Sequence, residues 1–108
     1  MSDQDPGMSS AFQIFMKEAP DHAQAWWMET VRVLDSAGVL DKKTEELVYL
    51  AVLAALRLES GVPLHVQMAK QAGASREDVI SAILIGLPVA GQGVMQALPE
   101  AVEAYDAE

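Results

Sequence analysis

The chain has no cysteine. Disulfides, thiol nucleophiles, thiolate metal sites and iron–sulfur clusters are therefore excluded. Basic residues are also scarce: seven Lys and Arg stand against sixteen Asp and Glu, a formal charge of −9. No patch can neutralise several phosphates, so neither nucleic acid nor an anionic membrane surface is an expected partner. No apolar run reaches the roughly 18 residues that cross a bilayer. Alternation of the β type, a repeat at fixed period and low-complexity segments are missing as well. The first residues, Met-Ser-Asp-Gln-Asp-Pro-Gly, have neither the basic start nor the apolar segment of a signal peptide, so the expected location is cytoplasmic. Small molecules and copies of the chain itself remain as partners.

What is present is a helical pattern in a chain of 108 residues, 51% of them apolar, enough for one core. Residues 1–10 read as a flexible arm and 11–108 as one all-α domain of about six helices. Phe12, Phe15 and Met16 stand at helical spacing after a serine able to cap a helix from Ala11 to Glu18. Pro20 suits a first helical position, Asp21 favours the positive helix end, and Gly38 supplies the stop for a helix from Pro20 to Ala37. Ala23, Trp27, Val31 and Leu34 form one face of that helix, with Trp26 and Val33 on a neighbouring one. This surplus of apolar surface suggests a helix between two layers or at a subunit contact.

Asp41 can cap a third helix running to about Leu58, with Glu45 and Glu46 near its start. From Leu47 to Leu56 it is apolar almost all round, which predicts a central helix surrounded by protein. The chain should then turn through Gly61 and begin a helix at Val62 or Pro63 that closes at Gly73. Ser75 and Asp78 have capping-box spacing, and Val79, Ile80, Ile83, Leu84 and Leu87 follow as a core face. Pro88, Gly91 and Gly93 break the pattern, and Pro99 predicts a last helix that bends or starts afresh near Leu98.

His65 is the main candidate for chemistry. Near a helix N-terminus the local positive potential disfavours imidazolium, which suits a general base; packing against the bend is the plainer alternative. Glu59, just before the turn, and Glu46, on the central helix, are the acids that could orient it. An inward-facing Glu46 would have its pKa raised by burial and would need a partner. His22 lacks carboxylate or histidine neighbours at metal-binding spacing, so no metal site is expected. Gly91-Gln92-Gly93 lacks the third glycine and preceding strand of a dinucleotide-binding loop, and no cofactor is expected. Ser60 has no nucleophile-elbow pattern around it.

Ala19-Pro20-Asp21, then Gly38-Val39-Leu40-Asp41-Lys42-Lys43-Thr44-Glu45-Glu46-Leu47, then Leu64-His65-Val66 and Ala72-Gly73-Ala74-Ser75-Arg76-Glu77-Asp78-Val79, in that order and spacing, resemble the carboxymuconolactone decarboxylase family, which includes the alkylhydroperoxidase D-like proteins. The resemblance runs from about Phe12 to the C-terminus. It implies the alkylhydroperoxidase D-like helical fold, assembled as a homotrimer or homohexamer with sites partly lined by neighbouring subunits. The peroxidase branch carries a Glu, a Cys-x-x-Cys pair and a His four residues further on. Glu46 and His65 match the outer positions, but Leu58 and Gly61 occupy those of the cysteines, so thiol peroxidase activity is not expected. The lactone decarboxylase branch does without those cysteines. Its likeness implies lyase-type proton transfer or decarboxylation on a small organic acid or lactone, with His65 as acid/base and Glu46, and less directly Glu59, as its partners. Only Arg57, Lys70 and Arg32 offer themselves for a substrate carboxylate. The alternative is a binding or structural oligomer that kept the fold without catalysis.

Overall fold

The computed structural model describes residues 9–107, all helix and turn with no strand among them. The chain forms α1 (Ser10–Glu18), α2 (Pro20–Ala23), a π-helical turn (Gln24–Met28), α3 (Glu29–Ala37), α4 (Lys42–Ala55), a 3₁₀ turn (Glu59–Gly61), α5 (Val62–Gln71), α6 (Arg76–Leu84), the short α7 (Leu87–Ala90), a 3₁₀ segment (Gln92–Ala97) and α8 (Leu98–Asp106). Because α2, the π turn and α3 follow one another without a break, the described residues make six helices of two turns or more. The expected arm at residues 1–10 lies, for its first eight residues, outside the described ones. Ser9 accepts a hydrogen bond from the Phe12 N–H and caps α1, so Ser10 already belongs to the helix.

Local chemistry explains most boundaries. The Asp41 carboxylate accepts from Thr44 N–H and caps α4. Ser75 and Asp78 form the reciprocal capping box that starts α6. Pro88 and Pro99 each lie in the first turn of a new helix, where a missing N–H costs nothing. The last helix therefore starts afresh at Leu98. Gly73, at φ +102°, lets the chain leave α5 and turn toward α6 in a conformation that a side chain would strain.

The core belongs to α4, α5, α6, α8 and the 3₁₀ segment before α8. Leu50, Val62, Val66, Val79, Ile83 and Val94 are its largest fully buried side chains. Helix α8 is clamped from outside: Tyr105 donates its hydroxyl to Ala74 O at 2.7 Å, Lys70 reaches Tyr105 O at 2.7 Å, and Arg76 grips Asp106 through two nitrogens at 2.9 and 3.2 Å.

Two expectations about the middle of the chain need correction. Helix α4 ends at Ala55, not near Leu58, because Arg57 takes the left-handed conformation (φ +61°). There Leu58 N–H bonds to Leu53 O and Arg57 N–H to Ala54 O, the pattern of a helix-ending Schellman turn. The reversal thus falls on Arg57. Gly61 has an ordinary right-handed helical backbone, and what it supplies is room, since a Cβ there would stand 3.3 Å from Leu53 Cδ2. The second correction concerns burial. Within one chain α4 hides only the side bearing Glu46, Leu50, Leu53 and Ala54, while Val48, Val52 and Leu56 are 49%, 50% and 63% exposed. All its packed neighbours lie on one side.

Candidate active site

Glu46 and His65 come from different helices, nineteen residues apart in sequence, and meet where α4 crosses α5. His65 Nδ1 lies 2.7 Å from Glu46 Oε1, and Lys42, one turn before Glu46, brings its ammonium to 3.0 Å from Oε2. Both carboxylate oxygens are therefore engaged. Glu46 is 3% exposed, the one buried charged residue among those described.

Burial alone would raise the Glu46 pKa, as expected from the sequence. The hydrogen bonds from His65 and Lys42 and their charges outweigh that penalty and hold the carboxyl below its ordinary value. The direction is the reverse of the one burial predicts because the partner it requires is present twice over. Lys42 is in turn raised by its bond to Glu46, against the opposing effect of burial. An ionised carboxylate accepts only, so His65 Nδ1 donates to it and Nε2 is the ring nitrogen left to face other partners.

The ring of Tyr49 stacks on the His65 imidazole at 4.1 Å between centroids and 18° between planes. Burial, with the nearby Glu46 charge, pushes the Tyr49 phenol up, so it stays protonated. Tyr49 and Lys42 were missed by the sequence reading. Simple helical arithmetic would have found them, since they stand at +3 and −4 from Glu46 and share its face.

His65 and Tyr49 line a cavity of about 240 Å³ together with Leu53, Leu58, Ser60, Gly61 and Leu64, and the N-terminal helices supply Ser9, Phe12, Trp26 and Trp27 opposite. The two tryptophans lie on the π turn, their rings stacked with centroids 6.0 Å apart. Phe12 meets Trp27 edge-on at 5.0 Å and Phe15 meets Trp26 at 6.2 Å, which ties α1 to the following helix. A π turn is frequent at functional sites.

The remaining sequence candidates are elsewhere. Glu59 does not bond to His65. It is paired with Arg57, which holds its carboxyl below the ordinary value. Arg32 is paired with Glu29 on the exposed face of α3, and Lys70 with the carbonyl of Tyr105. His22 is exposed beside a separate groove lined by Phe12, Phe15 and Trp26. Among the described residues no group of three or more His, Asp or Glu side chains is placed to hold a metal ion, and no helix is long and apolar enough to cross a membrane.

The all-helical bundle meets the fold expectation set by the resemblance, and Glu46 and His65 meet inside it. Comparison with family profiles agrees: residues 21–104 match the carboxymuconolactone decarboxylase family. The chain belongs to that family. Comparisons with curated proteins and with solved structures returned no match. The match covers every residue of the Lys42–Glu46–His65 array and Tyr49, but stops short of α1, so Phe12 lies outside it. In this member Leu58 and Gly61 stand on the turn between Glu46 and His65, and the chain has no cysteine at all.

Proposed function

We propose that the protein is a homo-oligomeric enzyme that moves a proton on a small carbonyl compound, a lactone or organic acid, with decarboxylation as one outcome. His65 is the acid/base. With Nδ1–H held by Glu46, Nε2 takes a proton from a carbon or hydroxyl beside the carbonyl, and the imidazolium that forms is stabilised by the ionised carboxylate. The same proton returns to the carbon left electron-rich by isomerisation or by loss of CO₂. Tyr49, protonated and on the cavity wall, can donate to the developing enolate oxygen, and a neighbouring subunit can add other donors. Glu59, bound to Arg57, shapes the turn that presents His65. Oligomerisation, as a trimer or hexamer, is supported by the family and by the exposed Val48, Val52 and Leu56 on α4.

The observation that carries the reading is the cavity beside a histidine already hydrogen-bonded to a buried carboxylate. A histidine packed dry against its own helix would have favoured a structural role. One observation speaks for the alternative of an oligomer that binds without turnover: Arg57 and Arg32 are paired internally, so neither is poised to anchor an anionic substrate. The test is incorporation of solvent deuterium beside the carbonyl of simple butenolides, followed by NMR. The wild type should exchange and His65→Gln should not, with the oligomer unchanged in sedimentation. Equal exchange in both would remove His65 from the mechanism.

A further inference from the structure

Among the described residues of one chain, the walls of the cavity beside His65 carry no Lys or Arg and no carboxylate. Six of the described lining residues are large and apolar or aromatic: Phe12, Trp26, Trp27, Leu53, Leu58 and Leu64. The polar atoms on offer are the His65 and Tyr49 rings, the indole N–H groups and the hydroxyls of Ser9 and Ser60. Ser9 already accepts from the Phe12 N–H. The cations closest in the fold are committed elsewhere, Lys42 to Glu46 and Asp35, Arg57 to Glu59. The nearest formal charge behind the His65 ring is the Glu46 carboxylate, and the chain as a whole carries −9.

From these observations we propose that the cavity selects uncharged, planar molecules of one or two rings bearing a carbonyl or hydroxyl, and rejects carboxylates of the same skeleton. The proposal rests on the reading of His65 as the group that meets the substrate, and it narrows that substrate to the neutral class, lactones before organic acids. A carboxylate entering this cavity would leave water without gaining a cationic partner, a large penalty, and would face the like charge of Glu46. A neutral ring loses little on transfer and gains aromatic contacts with the two tryptophans and Tyr49. Size agrees. An apolar cavity of about 150 Å³ takes benzene, so about 240 Å³ has room for two fused rings. A single carbonyl suffices to orient such a molecule toward His65 and the Tyr49 hydroxyl.

The test uses two probes with the same carbon skeleton: phthalide, a neutral bicyclic lactone, and its ring-opened salt, 2-(hydroxymethyl)benzoate. Binding to the assembled protein is measured by calorimetry and by saturation-transfer NMR at pH 7.5, without any need for turnover. Phthalide should bind at least about tenfold more tightly than the carboxylate. Ser60→Arg adds a cation to the wall at an exposed position, where folding is not at stake, and should raise carboxylate affinity by about tenfold while leaving phthalide within about threefold. Carboxylate binding as tight as that of phthalide, or binding of neither probe up to the millimolar range, overturns the proposal. Phthalide binding with no deuterium exchange on any lactone leaves the selectivity standing and refutes the catalytic reading. Exchange confined to carboxylate substrates does the opposite.

Discussion

Residues 10–37 bury one small side chain, Ala23, whereas the twelve members of the core cluster all fall between Leu50 and Ala101. The N-terminal helices are held to each other by exposed and half-exposed rings, and no extensive packing joins them to the bundle. They meet it across the cavity and through the pair of Asp35 with Lys42, 3.5 Å apart. The site is thus made of two unlike halves. Glu46, Tyr49 and His65 stand on helices fixed by the core, and the aromatic wall stands on helices that can shift at small cost. A fixed Glu46–His65 pair under an adjustable apolar wall is suited to admitting a ligand and closing over it, since segments with few buried contacts open at a fraction of the global free energy.

The largest effect that separates the halves is a cavity in the bundle. Leu50→Ala should cost about 2–5 kcal/mol in urea unfolding. Trp26→Ala, at a position 66% exposed, should lower global stability by less than about 1 kcal/mol and instead weaken ligand binding. Hydrogen exchange sharpens the contrast: amides of α3 should exchange through local opening while those of α4 and α5 wait for global unfolding. Equal protection in the two regions would break the comparison.

Next in size is the buried carboxylate. Glu46→Gln leaves a neutral group between His65 and Lys42 and should cost about 1.5–3 kcal/mol at neutral pH, the range for hydrogen bonds to charged groups. Because the folded pKa of Glu46 lies below the ordinary 4.5, its contribution is complete above that value and is lost as pH falls through the folded pKa. The gap between wild type and Glu46→Gln should therefore be constant near neutrality and shrink in acid. A gap unchanged down to acid unfolding would mean that Glu46 is not held ionised by its partners.

How much of this was legible in the sequence follows the same division. Caps, proline positions and the Ser75–Asp78 box are local, so the bundle helices could be read with small errors. The ending of α4 was misplaced because it depends on Arg57 adopting a left-handed backbone, which residue type argues against. Glu46 was one of two acids that the sequence offered to His65, Glu59 being the other, and only the crossing of α4 and α5 decides between them. Trp26 and Trp27 were read as surplus apolar surface, and Phe12 only as part of the first helix's apolar face, because nothing local reveals the π turn or where α1 comes to rest. Likewise the apolar run of α4 predicts burial on all sides, and a single chain can cover only one of them.

The smallest predicted effect probes the charged link between the halves. Lys42 is half exposed, with a side chain 46% accessible, so water screens its end of the pair with buried Glu46, and His65 stays on the carboxylate when Lys42 is removed. Lys42→Met should therefore change stability at neutral pH by no more than about 1 kcal/mol. Its consequence lies in pH dependence. Without the ammonium, burial of Glu46 is opposed by His65 alone, so the carboxyl moves up toward or past its ordinary value, and the acid-unfolding midpoint should move to higher pH. The alkaline side should flatten as well: the Lys42 pKa is raised in the fold, so its contribution is complete below the ordinary 10.5 and is lost only as pH rises through the folded value. Asp35→Asn removes the link to α3 but leaves Lys42 on Glu46, and should leave the acid midpoint in place while speeding hydrogen exchange in α3. If both variants shift the acid midpoint equally, Lys42 acts by tying the two regions together. A shift confined to Lys42→Met places its action on Glu46, and through Glu46 on the proton that His65 Nδ1 carries.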